Sequence, residues 1–226
     1  MIENPRPLDS ADADVPLAAL RPRLIAAMLP HVAFDGWSAA TRDAGAADAG
    51  IDPDIAAMAL PDAAAMIDAY TTRADAMMTD ALTAAGIADM KVRDRIRLAL
   101  WTRLEQAGDN REAVRRTLAV LAMPRNAALA TRILWRSADV MWRAAGDTAT
   151  DFNHYSKRAI LGGVYSATLL YWLDDDSADH AATRAFIDRR IDGVMRFEKT
   201  KARLSQAIGW LPDPARFLGR LRYPAV

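Results

Sequence analysis

Apolar residues return every three or four positions along almost the whole chain, and no stretch alternates with a period of two between turn signals. A chain patterned this way buries helix faces against one another and has no material for a sheet, so the expected class is all-α. Composition agrees. Hydrophobic residues make up 52% of the 226 positions, and many are alanine, a helix former rather than a strand former. That length fits one large domain or two small ones. With no cysteine, a disulfide framework, a thiolate zinc site and a thiol nucleophile are excluded.

Helix boundaries follow from capping chemistry. Residues 1–16 read as a flexible tail, and the spacing of Leu17, Leu20, Leu24 and Met28 predicts a helix to about Val32. Ser38 caps a second helix, which the Gly45 to Gly50 stretch loosens or ends. Asp52 and Pro53 start a short third. Longer helices are predicted over Asp62–Ala85, Lys91–Gln106, a segment ending at Met123 behind an Asp109/Glu112 capping box, Asn126–Ala145, and Asp151–Leu173. A last one runs from His180 to about Gln206, capped by Asp176 or Ser177. No apolar run approaches the roughly 18 residues that span a bilayer. The opening MIENPRPLDSADAD lacks the apolar core of a secretory signal, so a soluble intracellular protein is expected.

Three short helices followed by longer ones resemble the layout of TetR-type regulators, and Phe34-Asp35-Gly36-Trp37-Ser38 resembles the start of their helix-turn-helix. On that reading residues 17–60 form a helix-turn-helix unit, 61–210 a helical ligand-binding domain and 211–226 a separate basic tail. The charge opposes DNA binding. Residues 1–72 hold 11 acidic and 4 basic side chains, whereas 73–226 hold 18 and 25. The recognition position, Ile51 to Leu60, carries Asp52 and Asp54 and neither a base nor an amide. DNA affinity comes from Lys and Arg on phosphates, and base readout from Arg, Lys, Asn or Gln. A regulator with a hydrophobic effector pocket is therefore the alternative reading, not the first.

Gly146-Asp147-Thr148-Ala149-Thr150-Asp151-Phe152-Asn153-His154-Tyr155-Ser156-Lys157-Arg158 is dense in polar and aromatic residues between two apolar helical segments. Beyond it Leu161, Tyr165, Leu169 and Trp172 make a continuous helical stripe. Gly162 and Gly163 interrupt that helix at a cost of roughly 1 kcal/mol each, which points to a close approach by either a packed helix or a ligand. The segment is similar to the ubiquinone-biosynthesis accessory family known as coenzyme Q protein nine. That family's pattern Gly-Asp-x-x-Thr-Asp-Phe-Asn-x-Tyr-Thr-Lys-Arg is matched except for Ser156 in place of threonine. The likeness extends over most of residues 85–200, including Lys91-Val92-Arg93-Asp94-Arg95-Ile96-Arg97 and Ser137-Ala138-Asp139-Val140-Met141-Trp142.

The resemblance implies a TetR-like fold that does not regulate transcription. It implies a non-enzymatic protein that binds a lipid or isoprenoid quinone intermediate in an apolar cavity, docks on the di-iron demethoxyubiquinone hydroxylase, touches membrane peripherally and forms a homodimer without nucleic acid. The stripe and its neighbours Ile133 and Met141 are then the lipid-binding candidates: Ile133, Met141, Leu161, Tyr165, Leu169 and Trp172. Carried over by motif, Asp139, His154, Tyr155 and Arg158 are the partner-binding set, with His154 standing where some members have tryptophan. Methionines such as Met66, Met77, Met78, Met141 and Met195 are adaptable fillers for an under-packed interior, or ordinary core.

The end of the chain is basic and apolar together. Trp210, Phe217, Leu218 and Leu221 lie among Arg216, Arg220 and Arg222, and can either enter a bilayer interface or fold back on the protein. The family has an amphipathic C-terminal helix of this kind. No enzyme is expected. The three histidines, His31, His154 and His180, form no Glu-x-x-His or His-Glu-x-x-His pattern, and Asp174-Asp175-Asp176 is better explained as a helix cap than as a Mg²⁺ site. Neither a metal nor a cofactor is predicted. High alanine and arginine usage points to a bacterial cytoplasm, with association to the inner membrane.

Overall fold

The computed structural model of the chain describes residues 15–148 and 152–208. These are helical throughout: α1 Leu17–Asp35, α2 Ala39–Ala49, α3 Pro53–Ala59, α4 Ala63–Ala84, α5 Val92–Glu105, α6 Arg111–Leu121, α7 Ala127–Ala144, α8 Phe152–Leu173 and α9 Ala181–Ile208. The all-α expectation holds. The caps expected at Ser38 and Asp52 form, and Asp62, expected as the first residue of its helix, is a third. Ser38 Oγ accepts from Thr41 N at 3.2 Å, Asp52 from Asp54 N at 2.9 Å, and Asp62 from Ala65 N at 2.8 Å. Two of the front-end aspartates are thus helix caps whose acceptors fill orphan N–H groups.

One expected cap differs. The Asp109/Glu112 box does not form, because a 3₁₀ turn over Gly108–Asn110 absorbs Asp109 and leaves Asn110 at the cap position without a side-chain bond. At the start of α9 Ser177 caps as expected, its Oγ accepting from Ala182 N at 3.0 Å, and the other acceptor is Asp175 rather than Asp176. Asp175 Oδ1 accepts from Ser177 N (2.9 Å) and Ser177 Oγ (2.6 Å), and its Oδ2 accepts from Thr183 N (2.8 Å) and Thr183 Oγ1 (2.5 Å). Burial opposes the charge, but these bonds outweigh it and hold the Asp175 carboxyl well below the usual carboxylate range. Its stabilisation is complete above the unfolded value near pH 3.9 and is lost as pH falls toward the lower folded value. Asp175→Asn is therefore expected to flatten the dependence of stability on pH between about 5 and 2 in urea melts. Parallel wild-type and variant curves would contradict it.

Arginines of α6 finish the other side of this turn. Arg111 donates to Trp172 O and Asp175 O, both at 2.7 Å, and Arg115 donates to Leu173 O. They satisfy carbonyls left open at the C-terminus of α8, where positive charge is also favoured by the helix dipole.

The buried apolar residues gather in two clusters. One joins Leu24, Ile25 and Met28 of α1 with Ile55 of α3 and Met66, Ile67 and Tyr70 of α4, and reaches Ala113 and Ile133. The other is built from Leu100 and Leu104 of α5, Met141 of α7, Trp172 of α8 and Ile187 of α9. The front helices are tied to the rest through Trp37, whose Nε1 donates to Thr117 Oγ1 at 2.9 Å in the interior. Glycine at 45 sits within α2, which ends only at Gly50. A Cβ there would lie 2.5 Å from Met28 Cγ and 2.9 Å from Met28 N, so α1 and α2 cross in near backbone contact.

Helix α1 is long and apolar enough to cross a membrane by length and mean hydropathy (1.2), contrary to the expectation that no segment of the chain reaches that limit. It nonetheless buries Leu20, Leu24, Ile25, Met28 and Val32 against its neighbours and holds Pro22 and Pro30. One face of it is packed, with 28% of its apolar window buried.

Candidate functional site

A cavity of about 210 Å³ opens between α4, α5, α6, α7 and α8. Leu118 and Leu121 of α6, Ile133 and Leu134 of α7, and Tyr165 and Leu169 of α8 give it an apolar wall. The amphipathic patterns of these helices agree on this face. Their apolar sides meet across the space without filling it. Ile133, Tyr165 and Leu169 of the predicted lipid-binding set are thereby brought together. Leu161 faces a second apolar cavity, of about 150 Å³, with Ile96, Trp142 and Ile191. Met141 and Trp172 line neither and are fully buried core. Met66 and Met78 likewise fill core rather than cavity; Met77 is half-buried, and the side chain of Met195 lies outside the described residues.

Among the residues that line the larger cavity is a charged one that the sequence did not single out. Arg103 is 5% exposed, and its Nε stands 3.5 Å from Asp75 Oδ1, an ion-pair distance without hydrogen-bond geometry. That Nε has no hydrogen-bond acceptor. Asp75 is otherwise engaged. Ser137 Oγ donates to both its oxygens, at 2.9 and 3.1 Å, and Arg136 approaches at 3.4 Å while also binding Asp68 at 2.6 Å and Thr71 Oγ1 at 2.7 Å. Burial pushes the Asp75 carboxyl up, against the pull of Arg103, Ser137 and Arg136. Burial would lower Arg103, but with the Asp75 carboxyl beside it the shift is upward and the guanidinium stays charged. Burial also raises Tyr70 and Tyr165, which therefore keep their phenolic protons.

The turn at Asp147 organises a second feature. Glycine is required at 146, where φ is +87° and a Cβ would fall 2.8 Å from Arg95 Nη1. Arg95 itself donates to Ala145 O at 3.0 Å and Met90 O at 2.8 Å, pinning the start of α5 to the end of α7. Arg158 is almost wholly buried and pairs with Asp139 (2.6 Å) and Asp147 (3.1 Å), while Lys157 takes the other Asp147 oxygen at 2.6 Å. Asp139 is also bound by Arg143 at 2.7 Å. Of the four motif residues assigned to partner contact, Asp139 and Arg158 are thus joined to each other inside the turn.

His154 and Tyr155 stand beside them on α8. Tyr155 is 59% exposed, and its ring lies 5.1 Å from the His154 ring and 6.0 Å from Trp135 of α7. Trp135 was not singled out from the sequence, although it precedes Asp139 by four residues and so shares its helical face. Asp151 lies outside the described residues, as do Trp210, Phe217, Leu218 and Leu221 and the side chains of Phe152 and Asn153. Of the paired glycines, Gly162 is packed on Leu134, which a Cβ would approach to 3.3 Å, whereas Gly163 faces open space. Among the described residues no group of three or more His, Asp or Glu is arranged to hold a metal ion. The exposed face of α3 presents Pro53, Asp54 and Met58, with no donor for phosphate or base.

Residues 127–198, which carry α7, α8 and most of α9, match the family model described as COQ9. The rat protein named ubiquinone biosynthesis protein COQ9, mitochondrial, is 32% identical over 185 residues, 79% of this chain and 59% of its own. The chain belongs to the COQ9 family. The human COQ9 protein is 31% identical over 188 residues, again 59% of its length, so the chain spans about three fifths of these curated relatives. The COQ9 match covers both the Asp147 turn and the α7–α8 wall of the larger cavity. A solved TetR transcriptional regulator from Nitrosomonas europaea ATCC 19718 superposes with a TM-score of 0.62 at 20% identity, over 77% of this chain and 97% of that one. This likeness is one of fold: the TetR-like architecture belongs here to a COQ9-family chain.

Proposed function

We propose that this COQ9-family protein is a non-enzymatic accessory of ubiquinone biosynthesis that holds a quinone intermediate in its apolar interior and presents it to the di-iron demethoxyubiquinone hydroxylase. The observation that carries this reading is the unfilled apolar cavity walled by α6, α7 and α8, within reach of family-matched sequence. Empty apolar space in a protein interior forfeits dispersion and is retained where something enters it. A polyisoprenoid compound needs such shelter, since each methylene moved out of water is worth about 0.8 kcal/mol. Mass spectrometry of an organic extract of the purified protein tests this directly. Recovery of prenylated quinone or phenol supports the reading. A protein that neither carries nor takes up any such compound refutes it.

In this reading the hydroxylase docks on the aromatic group of Trp135, His154 and Tyr155. Exposed aromatics beside charged groups are frequent interface anchors. The buried Arg158–Asp139–Asp147 network positions this surface rather than touching the partner. Tyr155→Ala is expected to weaken co-purification with the hydroxylase by about 30-fold, the size of an interface hot spot, with the melting temperature unchanged. An unaffected complex would remove the docking patch. Homodimer formation and peripheral contact with the inner membrane through the C-terminal residues belong to the same proposal. A DNA-binding role is disfavoured by the acidic, donor-free α3 face.

A further inference from the structure

The three front helices carry no phosphate or base donor on the outer face of α3, yet one of their residues reaches the wall of the larger cavity. Trp37 lies in the turn between α1 and α2 and is 7% exposed. It does not line the cavity, but it touches two residues that do. Its Nε1 donates to Thr117 Oγ1 of α6 at 2.9 Å, and its ring lies 5.2 Å from the ring of Tyr70 of α4. The turn that carries it is itself fixed. Gly36 holds a left-handed φ of +65°, its N–H donates to Val32 O at 3.0 Å, and its carbonyl accepts from Thr41 Oγ1 at 2.7 Å.

Helix α6 is the wall that most needs such support. It lies between 3₁₀ turns over Gly108–Asn110 and Pro124–Asn126 and gives the cavity Val114, Thr117, Leu118 and Leu121. Arg111 and Arg115 tie its start to the end of α8, and Asn126 Nδ2 donates to Val120 O at 2.7 Å near its other end. The middle is held from the front unit, by Trp37 and by a longer bond from Arg116 Nη2 to Ala33 O at 3.4 Å. Unfilled apolar space forfeits dispersion, and its walls close in as far as their attachments allow.

We infer that Trp37 is a positioning residue for the cavity: through it the front unit braces α6 against α4 and keeps the space open. This rests on the reading above only in taking the cavity as a binding space; the identity of the guest does not enter. Thr117 Oγ1 accepts from Trp37 and donates to Ala113 O at 2.8 Å, so both of its hydrogen-bonding roles are committed and its rotamer is set. The same indole is packed on Tyr70, so a shift of either wall residue is resisted by the other. A front unit without nucleic-acid chemistry thereby has a use in the chain that carries it.

Toluene is the probe, a neutral apolar ring that a space of about 210 Å³ can take, titrated into the full chain and followed by NMR. Trp37→Phe removes the N–H and keeps a ring against Tyr70. Thr117→Val removes the hydroxyl at nearly constant size. Each is expected to weaken toluene binding about fivefold, the scale of one hydrogen bond. Because both cut the same bond, the double variant is expected to bind no worse than either single one. Thr117→Ser, which restores the hydroxyl, is expected to recover most of the affinity. A residue that merely stabilises the fold would lower the melting temperature and leave the affinity of the folded protein unchanged. That result overturns the inference while the cavity stands, and so do additive losses or tighter binding by the variants. A wild type that takes up no toluene overturns the inference and the cavity's role together. If Trp37→Phe does not fold, Thr117→Val measured against Thr117→Ser carries the test alone.

Discussion

Arg158→Leu is expected to lower stability by about 3 kcal/mol, the low end for breaking a buried pair, because it removes the one cation shared by Asp139 and Asp147 and leaves Asp139 to Arg143 and Asp147 to Lys157. For a chain of this size that is a fall in melting temperature on the order of 10 °C. The geometry makes Arg158 hard to replace. Its Nε serves Asp139 at 2.6 Å, while Nη1 serves both Asp147 at 3.1 Å and the His154 carbonyl at 3.1 Å, so the side chain ties α7, the Asp147 turn and the first turn of α8 together. Lysine has the charge but not the fork, and should recover only part of the loss. Adding Asp139→Asn and Asp147→Asn to the leucine variant should restore part of it, since the carboxylates that lost their shared cation are then gone. Calorimetry of the three variants checks the series. A loss below about 1 kcal/mol for Arg158→Leu would mean that solvent screens the network as it does a surface pair. Because the same network holds Tyr155 and His154 beside Trp135, weakened hydroxylase binding by Arg158→Leu is expected as a consequence of displaced aromatics.

Gly45→Val should cost about 3 kcal/mol, the upper range for forcing atoms into a packed site. Valine in place of glycine would ordinarily gain helix propensity. Here the new Cβ would sit 2.5 Å from Met28 Cγ, and also 2.9 Å and 3.0 Å from the Met28 backbone N and Cα. A flexible methionine side chain can swing away; the backbone of α1 cannot move without opening the cluster of Leu24, Ile25 and Val32. Even Gly45→Ala is therefore expected to destabilise, by about 1–2 kcal/mol. Denaturant unfolding measures both. An alanine variant as stable as wild type would show that the two helices can separate at no cost.

The helices themselves were open to reading from the residues, because local chemistry decides them. Ser38 and Asp52 offer side-chain oxygens one step ahead of apolar-periodic segments, and each caps the helix it was expected to cap; Asp62, expected as the first residue of its helix, is its cap. The helix expected over Asn126–Ala145 ends where the sequence places its end, at Ala144 with Gly146 in the left-handed region just beyond. Where two acceptors competed, the residues did not say which would win. Asp175, not Asp176, joins Ser177 in capping α9, because only Asp175 is turned inward to meet Thr183.

What the amino-acid sequence determined alone is a chain of helices with marked apolar faces, an acidic front end without DNA-binding chemistry, and a motif that places it among COQ9-like proteins. What only the tertiary structure decided is what each face looks at. Ile133, Tyr165 and Leu169 meet an open cavity, Leu161 meets another, and Met141 and Trp172 meet solid core, although all share the same periodic signal. Arg103 reads as one more charge in a basic helix, yet it ends up buried beside an apolar space, and Trp135 completes an aromatic group supplied by α8. Periodicity records which side of a helix avoids water. Whether that side is filled by a neighbour or left as a void depends on how several helices cross, and that information is held in no single segment.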